Sequence, residues 1–273
     1  GMLVLADEAH GTHFYFGEDT PVAAMRAGAD LASVGMHKSG GSLTQSSLLL
    51  AAASVGEGYL RQIINLTQTT SASYLLMVGL DIARRNFAVN GRALIADMLR
   101  RADYARDEIN RIGDYRAFSK DLINGGSVFD FDSAKLSVHT LDVGLAGIEV
   151  YELLRDEYDI QIEFGDIGNV LAYLSVGDRD RDVERLVSAL SEIRRRFRRE
   201  KAGMLTQEYI APTVLRSPKE AFYAEKEALP LRGAAGKICT EFVMSYPPGI
   251  PILAPGELVT QEIVAHIEYA MEK

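Results

Sequence analysis

Positive charge is in short supply in this chain. Lysine and arginine number 29 against 38 aspartates and glutamates, a formal balance of −9. A nucleic-acid binder needs clustered positive charge to neutralise phosphates, so that class of partner is not expected. An acidic balance is compatible with a cationic substrate, although most acidic proteins are simply soluble. Cysteine is almost absent: Cys239 stands alone, no intrachain disulfide can form, and a reducing, cytoplasmic home is expected. No apolar run reaches the length of a membrane-spanning helix, so no membrane partner is expected. The start, Gly1-Met2-Leu3-Val4-Leu5-Ala6, is too short for a signal peptide and has no basic front; the Gly before Met reads as an expression scar. There is no internal repeat and no low-complexity tract.

What is present is core-forming material, 47% hydrophobic over 273 residues, enough for one large or two modest domains. Leu3 to Ala6 reads as a buried strand that delivers the acidic pair Asp7-Glu8 at its end. Pro21 to Arg26 reads as a short helix stopped by Gly28. Leu31–Met36 and Leu43–Leu50 read as strands flanking a polar turn, Lys38-Ser39-Gly40-Gly41. From Glu57 to Ile112 the pattern is helical, punctuated by the polar stretch Thr67–Ser73 and by Gly91. Residues 113–133 are turn-rich. Beyond them the spacing predicts a strand over 136–139, a helix over 147–157, a strand over 170–176 and a helix through Val183, Leu186, Val187, Leu190, Ile193 and Phe197. Arg194, Arg195, Arg196, Arg198 and Arg199 read as the solvated face and end of that helix, where positive charge suits the helix dipole. A proline cluster, Tyr246-Pro247-Pro248-Gly249-Ile250-Pro251, precedes a last helix with Val259, Ile263, Ile267 and Met271 on one face. Strands alternating with helices indicate an α/β domain followed by a smaller α+β domain. The divisions expected are 1–115, 116–203 and 204–273.

Two residues carry the chemical reading. Lys38 sits in a loop between two apolar strands. It is either a surface lysine of a hairpin or a Schiff-base lysine, and the second role needs burial, so that the amine can shed its proton near neutral pH and attack a carbonyl. Asp7 lies about thirty residues earlier, at the end of a core strand. A carboxylate there can keep a proton on the ring nitrogen of a pyridoxal cofactor, or it can be a plain turn residue. Asp7, His10 and His13 are too loosely spaced, with no further ligand cluster, to point to a metal, and none is assigned. Asp7-Glu8-Ala9-His10 also spells the acidic motif of a class of helicases. That class needs a phosphate loop of the Gly-x-x-x-x-Gly-Lys-Ser/Thr type, and no such run occurs here.

Together, Asp7-Glu8-Ala9-His10-Gly11, His37-Lys38, Leu43-Thr44-Gln45-Ser46-Ser47, Thr69-Thr70-Ser71-Ala72-Ser73-Tyr74-Leu75-Leu76 and the tail segments around Pro247–Pro251 and Pro255-Gly256-Glu257 resemble the ornithine/lysine/arginine decarboxylases, within the aspartate-aminotransferase fold type I. The resemblance implies pyridoxal 5'-phosphate as cofactor, with Lys38 forming the aldimine and Asp7 paired with the pyridine nitrogen. It implies Ala9 on one face of the ring, His10 among the cofactor-binding residues, and His37 near the phosphate or the substrate carboxylate. Thr70 and Ser71 would reach a phosphate across a dimer interface, and Glu257 would lie near the distal cationic group of the substrate. The activity implied is decarboxylation of a basic amino acid to its amine, as in polyamine biosynthesis, by a homodimer or higher homo-oligomer.

Two departures from the family follow. Many relatives carry a serine three residues before the lysine, where this chain has Gly35. The chain is also expected to lack the front of the fold, which supplies a phosphate-binding loop at a helix N-terminus and a group that stacks on the ring. It then reads as a fragment, a shortened gene product or half of a split enzyme. A catalytically incomplete chain serving as a structural or assembly partner is the alternative.

Overall fold

A computed structural model describes residues 2–200, 210–246 and 249–272, and Pro247 and Pro248 of the proline cluster lie outside the described residues. The chain divides into two compact units. The first comprises residues 1–108, 118–136 and 173–187, and the second residues 109–117, 137–172 and 188–273.

The first unit opens with a three-stranded sheet of β1 (Leu5–Glu8), β2 (Leu31–Val34) and β3 (Leu48–Ala51), in that spatial order. β1 runs parallel to β2 with Asp7 opposite Ser33, and β3 runs antiparallel to β2. The first strand therefore begins two residues later than the apolar run suggests. Val4 already lies outside the ladder, its carbonyl accepting from the amides of Asp30 and Leu31. The helix expected over 21–26 is instead a turn at 24–28: the Ala24 amide is held by the Glu8 carboxylate at 2.7 Å, and Gly28 turns the chain with a φ of +96°. The polar turn after β2 is a four-residue helix, α1 (Met36–Ser39). Residues 43–47 are loop rather than strand, because Ser46 Oγ bonds the Leu43 carbonyl and the Ser42 hydroxyl, and the Ser46 carbonyl accepts from the His37 amide. Such local side-chain bonds compete with a sheet ladder.

Two helices follow, α2 (Glu57–Thr67) and α3 (Tyr74–Ile112). Gly91 does not break α3, which runs unbroken for 39 residues. Its missing side chain leaves room for Phe16, since a Cβ there would come within 2.9 Å of the Phe16 Cβ. Phe87, one turn earlier, meets the Phe16 ring at 5.2 Å between centroids. Phe87, Ile95, Met98, Met36 and His13 are fully buried in this unit.

A four-stranded sheet comprises β4 (Arg116–Ala117), β5 (Lys135–His139), β6 (Phe164–Gly165) and β7 (Asn169–Tyr173), in the order β4-β5-β7-β6. Helices α4 (Gly147–Tyr158) and α5 (Asp180–Phe197) match the spacing read from sequence. The arginine run at the end of α5 is more engaged than a solvated face. Arg194 grips Asp114 at 2.9 Å, Arg196 reaches Glu157 at 2.7 Å and Arg199 reaches Glu149 at 2.8 Å. After α6 (Pro218–Tyr223), the hairpin β8 (Val243–Ser245) and β9 (Ile250–Leu253) leads into α7 (Gln261–Glu272). There Ile263, Val264 and Ile267 pack with Cys239, Leu253 and Val259.

Candidate active site

β1 and β2 end side by side and point the same way. The C-terminal end of β1 carries Asp7, and the C-terminal end of β2 runs through Gly35 into α1, which carries His37 and Lys38. Ligands in parallel α/β sheets bind at this edge. The turn after β1 is closed by the Gly11 amide on the Glu8 carbonyl at 2.8 Å and by the Ala9 amide on Asp7 Oδ1 at 3.0 Å. One Asp7 oxygen is thus used locally, and the other makes no hydrogen bond among the described residues.

Glu8 is the structural member of the acidic pair. Its carboxylate accepts from the Tyr15 hydroxyl at 2.5 Å as well as from Ala24. Burial, with Glu8 beside it, pushes the Tyr15 phenol up to about 12. Gly35 faces the same turn closely. A Cβ on it would lie 2.5 Å from the Ala9 carbonyl oxygen, so a serine side chain has no room here. Buried Thr12 completes the joint by donating to the Gly35 carbonyl at 3.3 Å.

His37 is half-buried, and its Nδ1 lies 2.9 Å from the Ser46 carbonyl. A carbonyl only accepts, so Nδ1 carries the proton. Lys38 is exposed, and so is Asp7. The dry setting expected for both is therefore not built by these residues. The cause is positional: β1 is an edge strand, and α1 is a single turn that leaves the lysine stem outside. One residue on, Ser39 is 4% exposed and its Oγ has no hydrogen-bond partner among the described residues.

A polar cluster behind the turn was not legible in the sequence. His13 is 1% exposed and joins Asp132 through Nε2 at 3.0 Å. Burial alone would raise the Asp132 carboxyl. The hydrogen bond and charge of His13, the Ala134 amide and Lys135 outweigh it and hold the group below the usual carboxylate range. Lys135 Nζ lies 2.9 Å from His10 Nδ1 and 3.2 Å from the centre of the Tyr173 ring. Buried Arg106 bonds the carbonyls of Phe118 and Ser133 at 2.6 and 2.9 Å and thereby fixes the segment that carries Asp132. His10 and Lys135 stand 125 positions apart, and no motif marks either Asp132 or Lys135.

Thr70 and Ser71 are exposed in the link between α2 and α3, and no hydrogen bond ties them to the strand-end residues among the described residues. Glu257 belongs to the second unit, where its carboxylate accepts from the Ala254 amide at 2.8 Å and closes the turn around Pro255-Gly256. Asp166 likewise organises its own turn, accepting from the amides of Gly168 and Asn169.

Residues 1–143 match the family described as Orn/Lys/Arg decarboxylase, major domain, and residues 201–272 match its C-terminal domain. The chain belongs to the Orn/Lys/Arg decarboxylase family. It is 42% identical to an arginine decarboxylase of Halalkalibacterium halodurans and 39% identical to one of Bacillus subtilis, in each case over 97% of this chain and 55% of that protein. The chain thus spans little more than half the length of these relatives. Among solved structures it resembles the lysine decarboxylase of Francisella novicida, with a TM-score of 0.79 at 17% identity, covering 98% of this chain and 49% of that one. The constitutive lysine decarboxylase of E. coli gives 0.74 at 18% identity, over 97% of this chain and 49% of that one. These likenesses bear out the expected fold class, α/β with part of a fold type I large domain followed by a smaller C-terminal domain.

The donor set of this family chain fits the cofactor the family implies. A primary amine and a carboxylate follow neighbouring parallel strands at their C-terminal ends, and Ser39, the residue after Lys38 in sequence, has a buried hydroxyl with no hydrogen-bond partner among the described residues.

Proposed function

We propose that this chain carries the lysine-bearing part of a pyridoxal 5'-phosphate-dependent decarboxylase acting on a basic amino acid, ornithine, lysine or arginine. The observation that carries the reading is the emergence of Asp7 and Lys38 from adjacent parallel strands at the same sheet edge. Bound there, the cofactor supplies an electron sink for the carbon that loses carbon dioxide. Lys38 holds it through its amine, and Asp7 keeps the ring nitrogen protonated with the oxygen not used by Ala9. Ala9 lies along one ring face, and His10 lines the cofactor cleft. His37, with Nδ1 committed to Ser46, offers Nε2 toward the phosphate or the substrate carboxylate. Thr70 and Ser71 serve a phosphate bound by a neighbouring subunit, in a homodimer or higher homo-oligomer. Glu257 recognises the distal cationic group of the substrate with the capacity its turn leaves over.

Residues 1–115 make up the cofactor-bearing part, 116–203 a small α+β domain and 204–273 the C-terminal decarboxylase segment. The setting is cytoplasmic, in polyamine biosynthesis. The named activity of the 39–42% identical relatives favours arginine among the three substrates. Pocket depth and carboxylate placement decide between them, since one methylene is worth only about 1–3 kcal/mol.

A second reading has its own support. Lys38 and Asp7 are exposed and α2 buries none of its residues, as a catalytically incomplete assembly partner would show.

Cofactor uptake separates the two. A site competent on its own gives a yellow chain absorbing near roughly 420 nm, where a protonated imine of this cofactor is tuned by its surroundings. Borohydride then fixes the cofactor on Lys38, detectable by peptide mass. Labelling that persists at one site in Lys38→Ala would sink the assignment of the lysine, and a colourless chain would favour the second reading.

A further inference from the structure

Lys135 stands where no motif predicts a functional residue, yet its ammonium serves two groups at once. It lies 2.9 Å from His10 Nδ1, and it sits 3.2 Å above the centre of the Tyr173 ring. Tyr173 in turn meets the His10 ring edge-on, at 5.8 Å between centroids and 77° between planes. The three side chains form a closed triangle in which each fixes the other two. All three are half-buried, so none is swept freely by solvent.

The protonation chemistry of this triangle has one consistent solution. An ammonium group has three donors and no acceptor, so the bond between Nζ and Nδ1 runs from lysine to histidine. The face of a tyrosine ring attracts the charged amine and not the neutral one, which holds Lys135 in its ammonium form. Asp132, whose carboxylate is engaged by His13, adds negative charge on the same side. An Nδ1 that accepts cannot carry a proton, so the His10 proton sits on Nε2. A doubly protonated ring is excluded while the bond lasts, because its Nδ1–H would face a donor.

We infer that Lys135 is a positioning residue: it locks His10 as a neutral imidazole with Nε2–H as its donor, on the turn that carries Asp7 and Ala9. Resting on the proposed cofactor site, this deepens the role of His10, which becomes a fixed hydrogen-bond donor to an acceptor oxygen in the cleft and not a proton shuttle. Toward the cleft Lys135 acts through His10, and Tyr173 keeps the ammonium in place.

The test reads the proton directly. In the chain labelled with nitrogen-15 histidine, long-range proton–nitrogen correlation at neutral pH should show His10 with a protonated Nε2 and an unprotonated Nδ1, the signal being assigned by its loss in His10→Gln. Lys135→Met should lose that single pattern, giving mixed tautomers or a doubly protonated ring. Lys135→Arg, which keeps a cationic donor over Tyr173, should restore it. An Nδ1–H tautomer or an imidazolium in the unaltered chain would overturn the inference, whether or not the methionine variant folds, as would a pattern unchanged in Lys135→Met. Adding pyridoxal 5'-phosphate tests the underlying reading separately. A shift of the His10 Nε2 signal supports the cofactor site, whereas no shift with the tautomer intact removes the site and leaves the lock.

Discussion

Gly35 shows how one absent side chain sets the geometry of the strand ends. Its φ and ψ, −85° and 91°, are open to any residue, so backbone freedom does not explain it. By restricting the unfolded chain, an alanine there would favour folding over glycine by about 0.4–1 kcal/mol. Against that stands a Cβ placed 2.5 Å from the Ala9 carbonyl oxygen, a backbone atom that cannot swing away. Overpacking of this kind costs about 1–3 kcal/mol and outweighs the entropic gain. Gly35→Ala should therefore lower stability by roughly 1–2 kcal/mol, the difference of those two effects, in denaturant unfolding. An unchanged or raised midpoint would show that the turn yields. Lys38 lies one residue beyond His37 and three beyond Gly35. Its placement next to His37 follows from sequence, but its exposure is a property of a one-turn helix beside an edge strand, which local pattern does not encode.

At the scale of elements, long α3 is the spine of the first unit, and Arg106 on it fastens the segment that carries Asp132. The His13–Asp132 pair ties that segment to the turn after β1. Its pH dependence has a definite sign. The Asp132 carboxyl is held below the usual range in the fold, so the unfolded chain binds its proton at higher pH. The stabilisation is present in full above the unfolded value of about 4 and fades as the pH falls through the folded value. Asp132→Asn should cost about 1.5–3 kcal/mol at neutral pH, the range for a hydrogen bond to a charged group. The gap between the two proteins should close in acid, followed by thermal unfolding over a pH series. A gap that stays constant would mean that the contact contributes by shape alone. The elements themselves were mostly legible: α4, α5 and α7 fall where apolar spacing puts them. The first part of the expected 43–50 strand, residues 43–47, and the 21–26 helix failed because serine and glutamate side chains captured backbone groups that a ladder or helix would have used.

Over the whole molecule, apolar side chains are left uncovered along α2 and the first half of α3. Leu75, Val78 and Ile82 fall on one stripe of α3, exposed at 76, 54 and 63%. Contiguous apolar surface of this kind is uncommon on a self-sufficient monomer. We expect the folded chain to bind the dye ANS, and the triple change Leu75→Lys, Val78→Lys, Ile82→Lys to remove most of that signal. Because these side chains are not in the core, the thermal midpoint should stay within a few degrees, a small effect for surface changes. A large fall in the midpoint would show that the stripe is packed in solution.

Sequence by itself determined the family, the α/β alternation and the identities of Asp7, His37 and Lys38, because each rests on local spacing or on a short contiguous run. It also held Asp132, Lys135 and Tyr173, but without marking them. Only the tertiary structure brought Lys135 to His10 and Asp132 to His13 across more than a hundred positions. Pairings so distant leave no periodic trace in the chain, since they arise where a β-strand, a loop and a turn meet under one buried arginine.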